Sequence, residues 1–193
     1  LNYDVRDNQF EPTTGFYLDM GIRSITVDNV KGADFSSLLP DPVKSQLPFT
    51  TMNGKDEYDN FKADARFYVP ISKSTTFAAR GRVDFNTGGA PQSVADLNGV
   101  ANGFTYEVAG RSAMGTDLEL RHWINDTYGI VGMAALAKAM DTTSGDEDFH
   151  YSVGIGGRYM LNKEDGLSAR LDILYNDQEA DNVIAFFNVG QNF

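Results

Sequence analysis

The residues of this 193-residue chain that could do chemistry are mainly arginines and carboxylates spaced two positions apart. Arg66 follows Asp64 at this spacing, and Arg121 follows Glu119. In an extended chain, residues two positions apart point to the same face, so each pair can form a charge-assisted hydrogen bond. The spacing therefore predicts ionic pairing along one face of a sheet rather than acid–base catalysis.

Motifs of enzymes and of metal sites are weak in this sequence. The two histidines, His122 and His150, lie far apart, and we expect them at a rim or in packing roles rather than on a metal. The absence of cysteine excludes a thiolate metal site, a cysteine nucleophile and disulfides. Gly154, Gly156 and Gly157 precede no helix, so they are expected to give room or to allow bending rather than to bind phosphate. No catalytic residue, metal or cofactor is predicted, and enzyme activity is the least favoured class.

The elements that would position the ionic pairs are strands, because apolar and polar residues alternate along the chain. In residues 61–72, one parity is wholly apolar and the other begins with Lys, Asp and Arg. Such a period of two is typical of a strand with two different faces. The alternation recurs in runs starting at residues 1, 16, 77, 117, 151, 167 and 183, and it is poor in the Ala-rich residues 128–140, which are placed as a strand mainly because their neighbours require one. The pattern predicts about nine strands, near the length of ~9–11 residues of a tilted membrane strand.

The distribution of charge between the two faces favours a membrane barrel. A mean hydropathy of −0.33 is too polar for a helical membrane protein, yet the apolar parity is almost free of charge. Lipid explains this directly, since Arg or Lys on a lipid-facing strand costs ~2–4 kcal/mol at the midplane. A soluble sandwich is the weaker alternative. The charged residues that we predict to face the lumen are Asp4, Arg6, Asp19, Arg23, Asp64, Arg66, Arg80, Arg82, Asp84, Glu119, Arg121, Arg158, Arg170 and Asp172.

The connections between the predicted strands alternate in length. At one rim they are short, and they comprise residues 8–15, 73–75, 125–127 and 162–166. At the other rim they comprise residues 28–60, 86–116, 141–148 and 176–181, and the first two are long. This asymmetry is typical of bacterial outer-membrane barrels. A net charge of −11 also excludes nucleic acid as a partner.

Residues 3–15 read YDVRDNQFEPTTG. This segment resembles the strand and turn of the Omp85 superfamily of outer-membrane barrels, which includes BamA-like and bacterial surface-antigen barrels. A strand of the family is similar to residues 117–121, which read DLELR. Its closing strands are similar to residues 154–159, 166–172 and 189–193, and Phe193 resembles its C-terminal insertion signal.

The resemblance implies an all-β, antiparallel transmembrane β-barrel in the bacterial outer membrane, acting in protein insertion, translocation or passive, porin-like passage. It implies contact with outer-membrane lipids, lipopolysaccharide and the barrel-assembly machinery. Family barrels have more strands than the eight or nine expected here, so residues 1–193 are expected to be one barrel domain without a POTRA module, or the C-terminal half of a barrel. Either a missing N-terminal half or further copies of the chain would then close it. The alternative is a small eight-stranded structural or adhesive barrel.

One loop of the family folds into the lumen with an Arg-Gly-aromatic tip. The corresponding connection here, residues 86–116, contains no such tripeptide. Arg111 is the candidate for a cation inserted into the lumen, and an ordinary loop arginine is an equal alternative. The other long connection, residues 28–60, is expected to be either a plug or an outer loop.

Overall fold

The computed structural model describes residues 1–27, 56–105, 108–178 and 182–190. This part of the chain contains ten strands and one short helix, α1 (Leu97–Val100). The strands are β1 (Asn2–Asp4), β2 (Gly15–Val27), β3 (Asp56–Ser72), β4 (Thr75–Asn86), β5 (Ala95–Asp96), β6 (Ala109–Trp123), β7 (Tyr128–Thr142), β8 (His150–Asn162), β9 (Leu167–Asn176) and β10 (Val183–Val189). Within these ranges, no helix combines the length and the apolar character needed to cross a bilayer.

The strands form one antiparallel sheet. Its order is β1-β2-β3-β4-β6-β7-β8-β9-β10, and the two-residue β5 pairs with β6 beside this path. The all-β, antiparallel architecture expected from the alternation is confirmed, and the nine strands of the path correspond to the nine predicted runs. Between the described residues of β1 and β10 there is no pairing, so the sheet is open at these two edges.

The two faces of the sheet differ in the way that the alternation predicts. Large apolar side chains such as Leu118, Ile155 and Leu171 are exposed on one face. The opposite face carries buried charged groups, including Arg80 and Glu119. We call these the apolar face and the polar face. Residues opposite each other in the register share a face, as Arg66, Arg80 and Asp117 do across β3, β4 and β6.

The hydrophobic core lies on the polar face, where α1 packs against β6 and β7. Leu97, Val100 and Phe104 are buried there against Ala135 and Ala137 of β7. This packing explains why β7 alternates poorly in sequence. Its inward positions are small alanines that leave room for α1, so they cannot be distinguished by polarity from their neighbours.

Two strands begin earlier than the sequence indicates. β3 begins at Asp56 and β6 at Ala109, so the connections predicted as residues 28–60 and 86–116 are shorter. Residues 109–116 are mostly small, so no apolar parity marks them as a strand. Residues 28–55, which make up most of the first connection, lie outside the described residues.

The short connections lie together at one rim, as expected. Asn8 Nδ2 donates to the carbonyl oxygen of Asp165 over 3.2 Å. Lys163 forms an ion pair of 3.0 Å with Asp126. These contacts join the β1–β2, β6–β7 and β8–β9 connections, and we call this end of the sheet the turn rim.

Candidate functional site

Six charged side chains meet on the polar face of β6, β8 and β9 near the turn rim. All six residues are less than a tenth exposed. They comprise three arginines and three carboxylates, so their formal charges cancel. We call this group the arginine–carboxylate cluster, and it consists of Glu11, Glu119, Arg121, Arg158, Arg170 and Asp172.

Glu119 lies at the centre of the cluster. Its Oε2 accepts hydrogen bonds from Arg121 Nε at 2.7 Å and from Arg158 Nη2 at 3.1 Å. Its Oε1 accepts from Arg170 Nη2 at 3.1 Å, and Arg170 Nε donates to Asp172 Oδ2 at 2.5 Å. Removing one partner of such a buried pair typically costs ~3–5 kcal/mol, because the other charge is left uncompensated. The cluster therefore holds β6, β8 and β9 together through charges that water does not reach.

The register of the strands brings these side chains together. Arg158 of β8 lies opposite Arg170 of β9, and Gly156 lies opposite Asp172. A Cβ atom at Gly156 would overlap the Asp172 carboxylate and would approach Val131 Cγ1 to 2.9 Å. Gly156 thus gives the room that its sequence context predicts, and the occupant of that room is a carboxylate of the cluster.

Glu11 reaches the cluster from the β1–β2 turn, residues 5–14. Arg158 Nη1 donates to both carboxylate oxygens of Glu11, at 2.6 and 2.8 Å. Ser168 Oγ donates to Glu11 Oε2 at 3.2 Å, and Arg121 Nη1 lies 3.9 Å from Oε1. The turn therefore covers the cluster at the turn rim. Sequence reasoning missed Glu11, because a carboxylate in a polar turn normally points to water.

Local hydrogen bonds fix the shape of this turn. Asn8 Oδ1 accepts from the backbone N–H groups of Phe10 and Glu11, at 2.7 and 2.9 Å. Asp7 accepts from the backbone N–H groups of Thr13 and Thr14 and from the Thr13 hydroxyl. Partial burial alone would raise the pKa of Asp7, but these hydrogen bonds outweigh it and lower the pKa below the usual value. Asp7 therefore stays ionised at neutral pH and anchors the end of the turn. The side chain of Asn8 was the available sequence signal, since such a residue commonly organises a turn through its own backbone.

A second segment covers the polar face further from the turn rim. We call residues 97–105, which include α1, the interior loop. Asp96 caps α1 by accepting from Gly99 N at 2.7 Å. Asn102 N donates to Asp117 Oδ1 at 2.8 Å, and Ser152 Oγ donates to the Asn102 carbonyl at 2.8 Å. The loop is thus tied to both β6 and β8 through its backbone.

Gly103 is a point of close approach between the interior loop and the sheet. Its φ is +85°, and a Cβ there would lie 2.6 Å from Ser152 Oγ and 2.8 Å from Leu174 Cδ2. Asn176 Nδ2 donates a hydrogen bond to the carbonyl oxygen of Gly103 at 2.9 Å. Only glycine satisfies both the positive φ and the close contact, so this position specifies how the loop docks.

Other predicted lumen-facing residues form a second ionic group on β3 and β4. Arg66 and Arg80 each donate two hydrogen bonds to Asp64, with lengths between 2.8 and 3.2 Å. Arg82 Nε lies 3.7 Å from Asp64 Oδ2. Asp84 pairs with Lys62 at 2.7 Å. These side chains share the polar face, but they do not join the arginine–carboxylate cluster.

Residues near the edge of the sheet pair less completely. Asp4 and Arg6 form an ion pair of 2.6 Å. Asp19 and Arg23 are exposed and are not paired with each other, because four residues along a strand span about 13 Å. Asp19 instead accepts a hydrogen bond from Asn2 Nδ2 at 3.3 Å.

Arg111 does not lie in a loop that enters the polar face. It belongs to β6, where it pairs with Asp141 of β7 at 2.6 Å and donates to the Ala90 carbonyl. Its expected place in a loop was wrong because β6 begins at Ala109. The predicted insertion signal, Phe193, lies outside the described residues.

The histidines lie near the two ends of the sheet. His122 Nδ1 and Thr75 Oγ1 are 2.9 Å apart. His150 lies between Asp146 and Asp177, at 3.2 and 3.3 Å. In the described part of the chain, no group of three or more His, Asp or Glu side chains is arranged to hold a metal ion.

The arrangement as a whole is one of paired charges under two covers rather than of a nucleophile beside a base. No curated protein matches the chain. The family model described as the Omp85 superfamily domain matches residues 1–162, which include the β1–β2 turn, the interior loop and the strands β1–β8. The chain therefore belongs to the Omp85 superfamily, a superfamily of membrane-protein insertion and translocation.

Proposed function

We propose that this chain forms wall strands of a β-barrel in the bacterial outer membrane, and that the barrel inserts or translocates proteins without enzymatic chemistry. The observation that carries the proposal is the distribution of polarity between the two faces of the sheet in this Omp85 chain. Its apolar face is exposed, and its polar face buries a neutral arginine–carboxylate cluster under a turn and a loop.

The apolar face supports a position in lipid. Leu120, Ile155 and Phe187, which lie on three different strands, are all about half exposed or more. Burying an aliphatic or aromatic side chain of this size is worth ~1.5–3 kcal/mol, so a whole face left in water would be unfavourable. Contiguous apolar patches of this kind are also rare on soluble monomers. The partners of this face are outer-membrane lipids and lipopolysaccharide.

The edges of the sheet support a larger assembly. β1 and β10 each have one edge without a strand partner in the described residues. Unpaired backbone groups cannot remain in hydrocarbon, so further strands from a longer chain or from another copy close the barrel. The barrel-assembly machinery is the expected partner while these edges are being closed.

The two covers support a barrel that is closed at rest. The β1–β2 turn blocks the polar face at the turn rim through Glu11, and the interior loop occupies the region around Asp117 and Ser152. Passage along this part of the polar face requires that one cover be displaced. Ion leak is therefore expected to be low until the turn or the loop moves.

The test of insertion uses the full-length protein reconstituted in liposomes. An unfolded outer-membrane barrel is added as the client, and its folding is followed by protease protection. Accelerated client folding relative to empty liposomes supports the proposal. No acceleration of client folding contradicts it and favours the small structural or adhesive barrel.

The resting closure is tested by Glu11→Gln in the same liposomes. Loss of the carboxylate charge weakens the contact with Arg158, so ion leak should rise several-fold. Glu164→Gln is the matched control, because Glu164 is an exposed carboxylate at the same rim. Equal leak from the two variants would contradict the role of the turn as a cover.

A further inference from the structure

Away from the cluster, the polar face carries a diagonal row of three cations on β2, β3 and β4, two of them exposed and one half-buried. Lys62 lies opposite Gly21 of β2 and Asp84 of β4. Arg23 and Arg82 are therefore its diagonal neighbours on the two sides, at roughly 7–8 Å between backbones. We call Arg23, Lys62 and Arg82 the cation row.

Among the described residues, protein groups neutralise the members of the cation row only in part. The nearest carboxylate to Arg82 is Asp64, whose oxygens already accept four hydrogen bonds from Arg66 and Arg80. The 3.7 Å contact of Arg82 Nε is too long to be a hydrogen bond, and the side chain is 36% exposed. Lys62 pairs with Asp84 but is 64% exposed. Arg23 is exposed and has no side-chain partner among the described residues.

The charge of this region differs in sign from that of the chain. The cations at polar-face register positions of β2–β4 are Arg23, Lys62, Arg66, Arg80 and Arg82, and the anions are Asp19, Asp56, Asp64 and Asp84. Five cations against four anions give a net charge of +1, in a chain whose net charge is −11. Asp117 lies across from Arg80 on β6, but it is only 3% exposed and accepts from Asn102 N. Counted over the described strands, the water-accessible charge here is therefore positive.

Space for a ligand exists beside the row. Gly21 shares the polar face with Lys62, and a Cβ built on it would have no neighbour within 4 Å. An exposed guanidinium without a full set of partners matches the paired oxygens of phosphate or carboxylate groups, and an ammonium group adds a point charge. We propose that the cation row is an anion-binding site that takes phosphate or carboxylate groups.

The site needs only access from water, so it does not depend on whether the barrel inserts proteins. Its consequence for a passage along this face would be retention of anionic solutes or of acidic segments of a client. Arg23, Lys62 and Arg82 would supply the specificity, whereas the arginine–carboxylate cluster is already neutral and contributes none.

The experiment is site-resolved phenylglyoxal labelling of the full-length protein in liposomes at low salt, read by mass spectrometry. Inorganic pyrophosphate and succinate are the competing probes, and they distinguish a preference for phosphate from one for carboxylate. We expect millimolar probe to slow adduct formation at Arg82 several-fold. Arg111 is the matched control, since it is similarly exposed at 31% but is paired with Asp141.

A double variant, Arg23→Gln with Lys62→Gln, completes the test. Both side chains are exposed, so the fold should be retained while protection of Arg82 by either probe is lost. Equal protection of Arg82 and Arg111, or no protection by either probe, would overturn the anion site. Either result would leave the test of client folding unaffected.

Discussion

At the scale of single residues, the ionic contacts are organised around carboxylates that each accept hydrogen bonds from several arginines. Glu119 receives hydrogen bonds from arginines on β6, β8 and β9. Asp64 is held in a similar way by Arg66 and Arg80 on β3 and β4. In both groups a carboxylate accepts hydrogen bonds from arginines on more than one strand, so the ion pairs connect the strands.

Gly156 is the residue on which the packing of the cluster can be tested. We expect Gly156→Ala to destabilise the folded protein by about 1–3 kcal/mol, because the added methyl group displaces the Asp172 carboxylate from Arg170. Gly157→Ala is the control, since a Cβ at Gly157 meets nothing within 4 Å. Urea unfolding in lipid vesicles measures the difference. Equal stability of the two variants would refute the proposed role of Gly156.

The sequence predicts the parity of the charged residues well but their partners only partly. The spacing of two places Arg66 near Asp64 and Arg121 near Glu119, and the structure shows both pairs. Glu11 is not predictable in this way, because its partner Arg158 is 147 positions away and their contact depends on how the β1–β2 turn lies over β8. Short-range spacing carries no information about such a contact.

At the scale of elements, the interior loop packs against the polar face and covers part of it. Its apolar side chains, Leu97, Val100 and Phe104, rest on the alanines of β7. Its backbone is bonded to Asp117, Ser152 and Asn176. The alanines of β7, together with Asp117, Ser152 and Asn176, therefore receive this loop.

Docking of the interior loop is tested by Gly103→Ala. The variant should release the loop and raise hydrogen exchange in residues 101–105 at least tenfold, because the methyl group would collide with Ser152 and Leu174. Gly145→Ala controls for backbone strain, since Gly145 also has a positive φ, +77°, but a Cβ there has no neighbour within 4 Å. Unchanged exchange in Gly103→Ala would show that this contact does not hold the loop.

Element boundaries follow from the sequence only where the two parities differ in polarity. β3, β4 and β9 show this difference along most of their length. The start of β6 and the helix α1 do not, because residues 97–116 mix small, apolar and polar residues without a fixed period. Packing against the alanines of β7, rather than local preference, decides the structure of α1.

At the scale of the whole molecule, the central feature is the inversion of the two faces. Averaged over the chain, the mean hydropathy of −0.33 resembles that of a soluble protein. Separated by face, the exposed side is apolar and the buried side is ionic. An average over alternating positions cannot show this, whereas the period of two does.

The most direct test of the account measures what each face touches in a membrane. The chain has no cysteine, so single cysteines introduced at Ile155 and Lys62 can carry a nitroxide label without background. Ile155 is 73% exposed on the apolar face, and Lys62 is 64% exposed on the polar face. In liposomes, we predict that the label at position 155 is relaxed by oxygen and shielded from a water-soluble nickel complex, with the reverse at position 62. Equal access of the nickel complex to both labels would contradict a lipid-facing apolar surface and, with it, the membrane barrel.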